Sequence, residues 1–185
     1  MSDPLAIATR HGLPEDLRVL ARLYPRNSWH GHGNFSDLIA FWLDRHLMFR
    51  EILSRMQSAT QMHIASPQPR FGAEIARYTG FFLNQLHDHH GIEDHYYFPK
   101  LKTFDFRLSR AFDMLDADHQ ALDGQIAAMA RATNAVLADL RAGKPGEAGR
   151  LCEVQQGFER FLGRHLADEE EVIVPVLLKY APDLG

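Results

Sequence analysis

The stretch HHGIEDHYYFPKL, His89 to Leu101, has a counterpart 76 residues further on, HLADEEEVIVPVL, His165 to Leu177. Both read His-Xaa3-Glu, then a second acid, then Pro-Xaa-Leu, so the offset pairs His89 with His165, Glu93 with Glu169 and Pro99 with Pro175. Residues i and i+4 of an α-helix lie about 40° apart around the axis and one turn along it. His89 and Glu93 therefore share a helix face, as do His165 and Glu169. In the first copy the apolar stripe runs through Ile75, Phe82, Leu83, Leu86 and Tyr97. His89 and Glu93 fall inside that stripe and His90 on its margin, while His87, Asp94 and His95 point off it.

Each copy is preceded by a helical pattern with one histidine mid-stripe. WLDRHLMF carries His46 and DADHQALD carries His119, 73 residues apart. The chain thus reads as a two-helix hairpin used twice. Helix A starts at the N-cap candidate Ser36 and is broken by SPQPRFG, Ser66 to Gly72. Helix B runs from Ala73 to Leu101, helix C from near Ser109 to Arg141, and helix D from Arg150 to Tyr180 after AGKPGEAG. Pro99 and Pro175 are expected to kink or end their helices. No strand pattern competes. The expected architecture is all-α, an antiparallel up-down-up-down four-helix bundle over residues 35–185. Residues 1–34 are expected to form an extension packed on it, with a short helix over PEDLRVLARLY, Pro14 to Tyr24.

Composition narrows the function. The 185 residues are 45% apolar and 24% charged, which suits one folded domain. A net charge of −4 with scattered basic residues argues against nucleic acid and against an anionic membrane surface. No apolar run is long enough to span a bilayer, and the first residues do not read as a secretory signal. The single cysteine, Cys152, excludes an intrachain disulfide and fits a reducing, cytoplasmic setting. A monomer or small homo-oligomer is expected. The eleven histidines are the unusual feature.

An approximate two-fold brings His46, His89, His119 and His165 into one interior zone with Glu93 and Glu169. Buried carboxylates need cations. A pair of divalent metals meets that need, and mixed nitrogen and oxygen ligation without thiolates favours non-haem iron or manganese, with zinc also open. Taken singly, His46 and His119 would read as hydrogen-bonded core histidines; the repeat makes them ligand candidates. His90 and Asp123 are further candidates to complete the shell.

These residues, with the phrases IEDHYYFP and DEEEVIVP, resemble the hemerythrin-like HHE cation-binding domain over roughly residues 36–180. The resemblance implies an antiparallel four-helix bundle with two non-haem irons, bridged by two carboxylates and an oxygen species. It implies a protein that binds or responds to O2, NO, peroxide or iron level. His46, His89, His119 and His165 would be terminal ligands, and Glu93 and Glu169 the bridges. His90 stands where some members carry an acid, and Asp123 where animal hemerythrins carry a second histidine.

Three functions follow. The first is an oxygen-binding or sensing protein, favoured over an enzyme. The second is a dimetal oxidoreductase that consumes peroxide or NO. The third is a metal-free or single-metal structural bundle, motivated by Arg50 one turn after His46, where a guanidinium could occupy the place of a metal.

Overall fold

The structure is a computed structural model that describes residues 5–144 and 146–184. Residues 1–4 of the expected extension, and Pro145 in the loop before the last long helix, lie outside the described residues. Among the described residues there is no strand, and four long helices dominate: α1 (Asp37–Ala65), α2 (Phe71–Ile92), α3 (Ser109–Arg141) and α4 (Ala148–Tyr180). No helix among the described residues is long and apolar enough to cross a membrane.

The termini follow local chemistry. Ser36 Oγ accepts from the backbone N–H of Ile39 at 3.4 Å and so caps α1. Gly146 stands at φ +75°, a left-handed conformation that favours glycine, in the loop before α4. Pro175 lies inside α4, which continues to Tyr180. Of the two outcomes expected at the proline, a kink or an end, the helix does not end there; buried Val172, Ile173, Val174, Val176, Leu177 and Leu178 surround it. Packing on both sides outweighs one missing hydrogen bond.

Two further expectations are corrected. Helix B is not one α-helix to Leu101: a π-helical turn, Glu93–Tyr97, follows α2, and a last α-turn, Phe98–Leu101, follows that. A π turn holds one extra residue and rotates what comes after it. Phe98 is therefore buried, whereas Tyr97, expected on the inner stripe, is only half-buried. The helix expected over Pro14 to Tyr24 is a single 3₁₀ turn, Glu15–Leu17, followed by irregular turns. The ten residues between Pro14 and Pro25 are too few to sustain a helix alone, and burial of Leu13, Leu17 and Leu20 fixes the path instead.

The fold divides into two compact units. The first joins Met1–His46, His89–Ala121 and Gly163–Gly185. Its core holds Leu17, Leu20 and Trp29 from the N-terminal segment with Ile39, Trp42, Phe98, Phe112, Leu115, Ile173 and Leu177. Each fully buried Leu or Phe there contributes about 1.5–3 kcal/mol. The second joins Leu47–Asp88 and Leu122–Leu162. Phe82 packs edge-on against Phe49 and Phe158 at 6.1 and 5.5 Å, and His63 stacks on Phe71 while its Nδ1 accepts from the Gln68 N–H. His63 thus has a structural role and closes the turn after α1.

Candidate metal centre

The candidate histidines all lie in the first unit, where the two copies of the repeat meet. They form two groups. His46 and His89 gather with Glu93 and Glu169; His90, His119 and His165 gather beside them. The Nε2 atoms of His46 and His89 are 3.2 Å apart, and those of His119 and His165 are 3.1 Å apart.

The glutamates join the groups. Glu93 turns Oε1 to His89 Nε2 at 3.0 Å and Oε2 to His119 Nε2 at 3.6 Å. Glu169 turns Oε1 to His46 Nε2 at 3.6 Å and Oε2 to His165 Nε2 at 3.2 Å. Each carboxylate thus offers one oxygen to each group. Trp42 Nε1 donates to Glu169 Oε1 at 2.6 Å.

A second layer of carboxylates holds the outer ring nitrogens. Glu170 Oε1 lies 2.9 Å from His46 Nδ1, Asp94 Oδ1 lies 2.6 Å from His119 Nδ1, and Asp118 Oδ2 lies 3.3 Å from His165 Nδ1. Such partners hold the Nδ1 proton, so that in the neutral ring the Nε2 lone pair faces inward. Asp94 and Glu170 are equivalents in the repeat, so the arrangement follows the same approximate two-fold. Phe98 stacks on His119, and Trp42 lies edge-on to His89, so aromatic rings line both groups.

The electrostatics are those of a site short of positive charge. Burial and the neighbouring Glu169 carboxylate push the Glu93 carboxyl well above the usual range. Glu169 is buried as well, but the imidazoles of His46 and His165 hold it well below that range. Burial drives His89 down to about 3. It also opposes charge on His165, yet the hydrogen bond to Asp118 and the negative charge of the nearby Glu169 carboxylate push that imidazole up to about 9.

The residues fit a metal pair. His90 Nε2, both oxygens of Glu93 and Glu169 Oε2 are buried without a hydrogen-bond partner. Buried polar atoms are rarely left so, and here they converge. Two imidazole nitrogens bound at about 2.1 Å and at right angles to one another would be about 3.0 Å apart, close to the observed 3.1 and 3.2 Å.

Of the eight candidate residues, the structure brings together His46, His89, His90, Glu93, His119, His165 and Glu169. Asp123 is exposed, belongs to the other unit, and is in neither group. One turn beyond His119 the inward stripe has passed to Leu122. Arg50 is half-buried in the other unit; the buried cation behind the imidazoles is Arg10, which binds Asp118 and Asp168. Sequence reasoning missed Trp42 as a partner of Glu169, the roles of Asp94, Asp118 and Glu170, and Arg10 altogether. The repeat could have found Asp94 and Glu170. Arg10 belongs to no pattern.

No curated protein and no solved structure gives a significant match to the chain. The family model for the hemerythrin HHE cation binding domain matches residues 37–177. That span holds α1, α2 and α3, all of α4 but its last three residues, and every residue of the two groups; the chain belongs to the hemerythrin HHE cation-binding domain family.

Proposed function

We propose that the chain is an antiparallel up-down-up-down bundle, residues 35–185, with residues 1–34 as an extension packed on it, and that it holds a pair of non-haem metal ions. His46 and His89 would hold one ion, and His90, His119 and His165 the other. Glu93 and Glu169 would bridge them. One observation carries this reading: each glutamate, buried, turns one oxygen to each histidine group, and three of those four oxygens have no hydrogen-bond partner. Iron fits the mixed nitrogen and oxygen donor set without thiolates; manganese and zinc are the alternatives.

A bound iron pair supplies an open position and reversible electron transfer toward O2, NO or peroxide. The chain does the rest. Asp94, Glu170 and Asp118 orient the imidazoles, Trp42 fixes Glu169, and Phe98 and Trp42 exclude water. The unequal groups, two imidazoles against three, leave room on the His46 and His89 side. We read the protein as one that binds or senses a small oxidant, working in the cytoplasm as a monomer or small homo-oligomer, without nucleic-acid or membrane partners. An enzyme that consumes peroxide or NO at the same centre is the second reading. It draws on Tyr97, half-buried and 4.9 Å from Trp42, as a group able to hold a proton near the site.

The test is metal content per chain after expression with iron and purification without oxygen, with absorption spectra before and after air. About two irons per chain and a new near-ultraviolet to visible band support the reading. Its reversal when oxygen is removed marks binding, and peroxide turnover lost in Glu93→Ala marks the enzyme. A metal-free protein without a band overturns both.

A further inference from the structure

We propose that the N-terminal segment, which precedes the residues matched by the family model, is a working part of the metal centre: Arg10 and Arg26 are positioning residues that hold one histidine in each ligand group. The inference rests on the metal reading above.

Arg10 is buried although it belongs to a segment without a long helix, and its side chain is 2% exposed. Its guanidinium forks onto Asp118, with Nη1 2.7 Å from Oδ1 and Nη2 on Oδ2, and its Nε donates to Asp168 Oδ2 at 2.7 Å. The same Nη1 also donates to the Leu5 carbonyl at 2.7 Å. Asp118 Oδ2 is the atom that faces His165 Nδ1. Arg10 therefore fixes the carboxylate that fixes the ring. A planar, five-donor cation suits this position, because one side chain must satisfy two buried carboxylates in a set geometry.

Arg26 makes the second arm. Its Nη2 lies 2.5 Å from Glu170 Oε2, while Glu170 Oε1 lies 2.9 Å from His46 Nδ1. The Arg26 guanidinium also sits 4.6 Å over the ring of buried Trp29, whose indole N–H donates to the Tyr24 carbonyl. Arg26 is itself half-exposed, but its anchor is not. One segment thus reaches His165 in the three-imidazole group and His46 in the two-imidazole group, each through a single carboxylate. Carboxylate partners of ligand histidines commonly alter metal retention about 10- to 100-fold. Coupling is reciprocal: if the segment tightens the centre, loaded metal tightens the segment.

The test uses the full chain loaded with ferrous iron without oxygen. Release to an iron chelator is followed for wild type, Arg10→Gln, Arg10→Lys, Arg26→Gln and, as a control, Phe158→Leu in the other unit, which lowers stability without touching these arms. The expected result is release about 10- to 100-fold faster for one iron of the pair in Arg10→Gln and for the other in Arg26→Gln. Arg10→Lys should recover only part of the loss, and the control should release as wild type does. Amide exchange over residues 5–34 of the wild type should slow on loading, a readout that stands even where a variant fails to fold. A wild type that takes up no metal overturns the metal reading and this inference with it. A loaded wild type overturns this inference alone if both arginine variants release iron at its rate, if the control accelerates equally, or if segment exchange does not change on loading.

Discussion

Trp42 donates its indole N–H to Glu169 Oε1 across 2.6 Å, and both side chains are buried. The bond joins α1 to α4 at the carboxylate that faces both histidine groups. It also draws electron density from the oxygen nearer His46. Trp42→Phe keeps the aromatic packing on Tyr97 and removes the donor. A hydrogen bond to a charged acceptor contributes about 1.5–3 kcal/mol. We therefore expect a folded variant that releases iron about 10-fold faster or more, with a shifted absorption band. Release kinetics and spectra of the two proteins check it, and identical values would remove Glu169 from the ligand set.

His90 and Asp123 are both candidates in the sequence, and the structure separates them. His90 stacks on His119 with ring centroids 4.1 Å apart, while Asp123 is exposed. His90→Ala should lower metal content from two per chain toward one. Asp123→Ala should leave content and spectrum unchanged and shift stability by less than about 0.5 kcal/mol, as exposed substitutions usually do. Metal analysis of the two variants side by side decides.

What the sequence could and could not show follows from how each feature is encoded. The long helices announce themselves through a 3.6-residue period, and His46, His89, His119 and His165 stand out because they interrupt apolar stripes. Glu93 and Glu169 are legible for the same reason. The π turn at Glu93–Tyr97 is not, because one inserted residue leaves no local mark and shows only as a change of phase from Tyr97 to Phe98. The N-terminal path misleads because Leu17 and Leu20 have helical spacing in a stretch too short to use it. Arg10 is invisible, since its partners Asp118 and Asp168 are 108 and 158 residues away.

Gln155 tests the second unit. It is fully buried, and neither its Oε1 nor its Nε2 has a hydrogen-bond partner. A buried amide left so costs about 1–3 kcal/mol, and leucine nearly matches its shape. Gln155→Leu should raise the thermal midpoint by about 2–4 °C for each kcal/mol recovered. A lower midpoint in calorimetry would mean that the amide is satisfied by a bound water that leucine displaces.

Asp105 governs an acid-sensitive contact. Hydrogen bonds from the Arg107 guanidinium hold its carboxyl well below the usual range against the opposing effect of burial, and the Tyr180 hydroxyl adds to this at 3.0 Å. A carboxyl lowered on folding contributes stability above its unfolded value of about 3.9 and loses it as the pH falls through the folded value. Asp105 also accepts the Arg107 N–H as the cap of the turn Phe106–Leu108. Asp105→Asn should therefore be less stable than wild type at pH 7 by about 1 kcal/mol. The difference should narrow as the pH drops below about 4. Urea midpoints at pH 7, 5 and 3 check it, and a gap that widens in acid would reverse the sign.

The inequality of the two histidine groups traces to one position of the repeat. Seventy-six residues after His90 stands Leu166, fully buried. Where one copy of the hairpin supplies a third imidazole, the other supplies an apolar side chain, and the group with two imidazoles is one nitrogen donor short. Leu166→His should supply the missing nitrogen. The variant should still hold two irons but lose at least about 10-fold in affinity for NO, used as a probe of the open position, because an internal ligand must now be displaced. His90→Leu combined with Leu166→His moves the open position to the other group and should restore binding. Titration of the three ferrous proteins with NO, followed by absorption, checks both expectations. Unchanged NO affinity in Leu166→His would mean that the open position lies elsewhere and that His90 does not set the asymmetry.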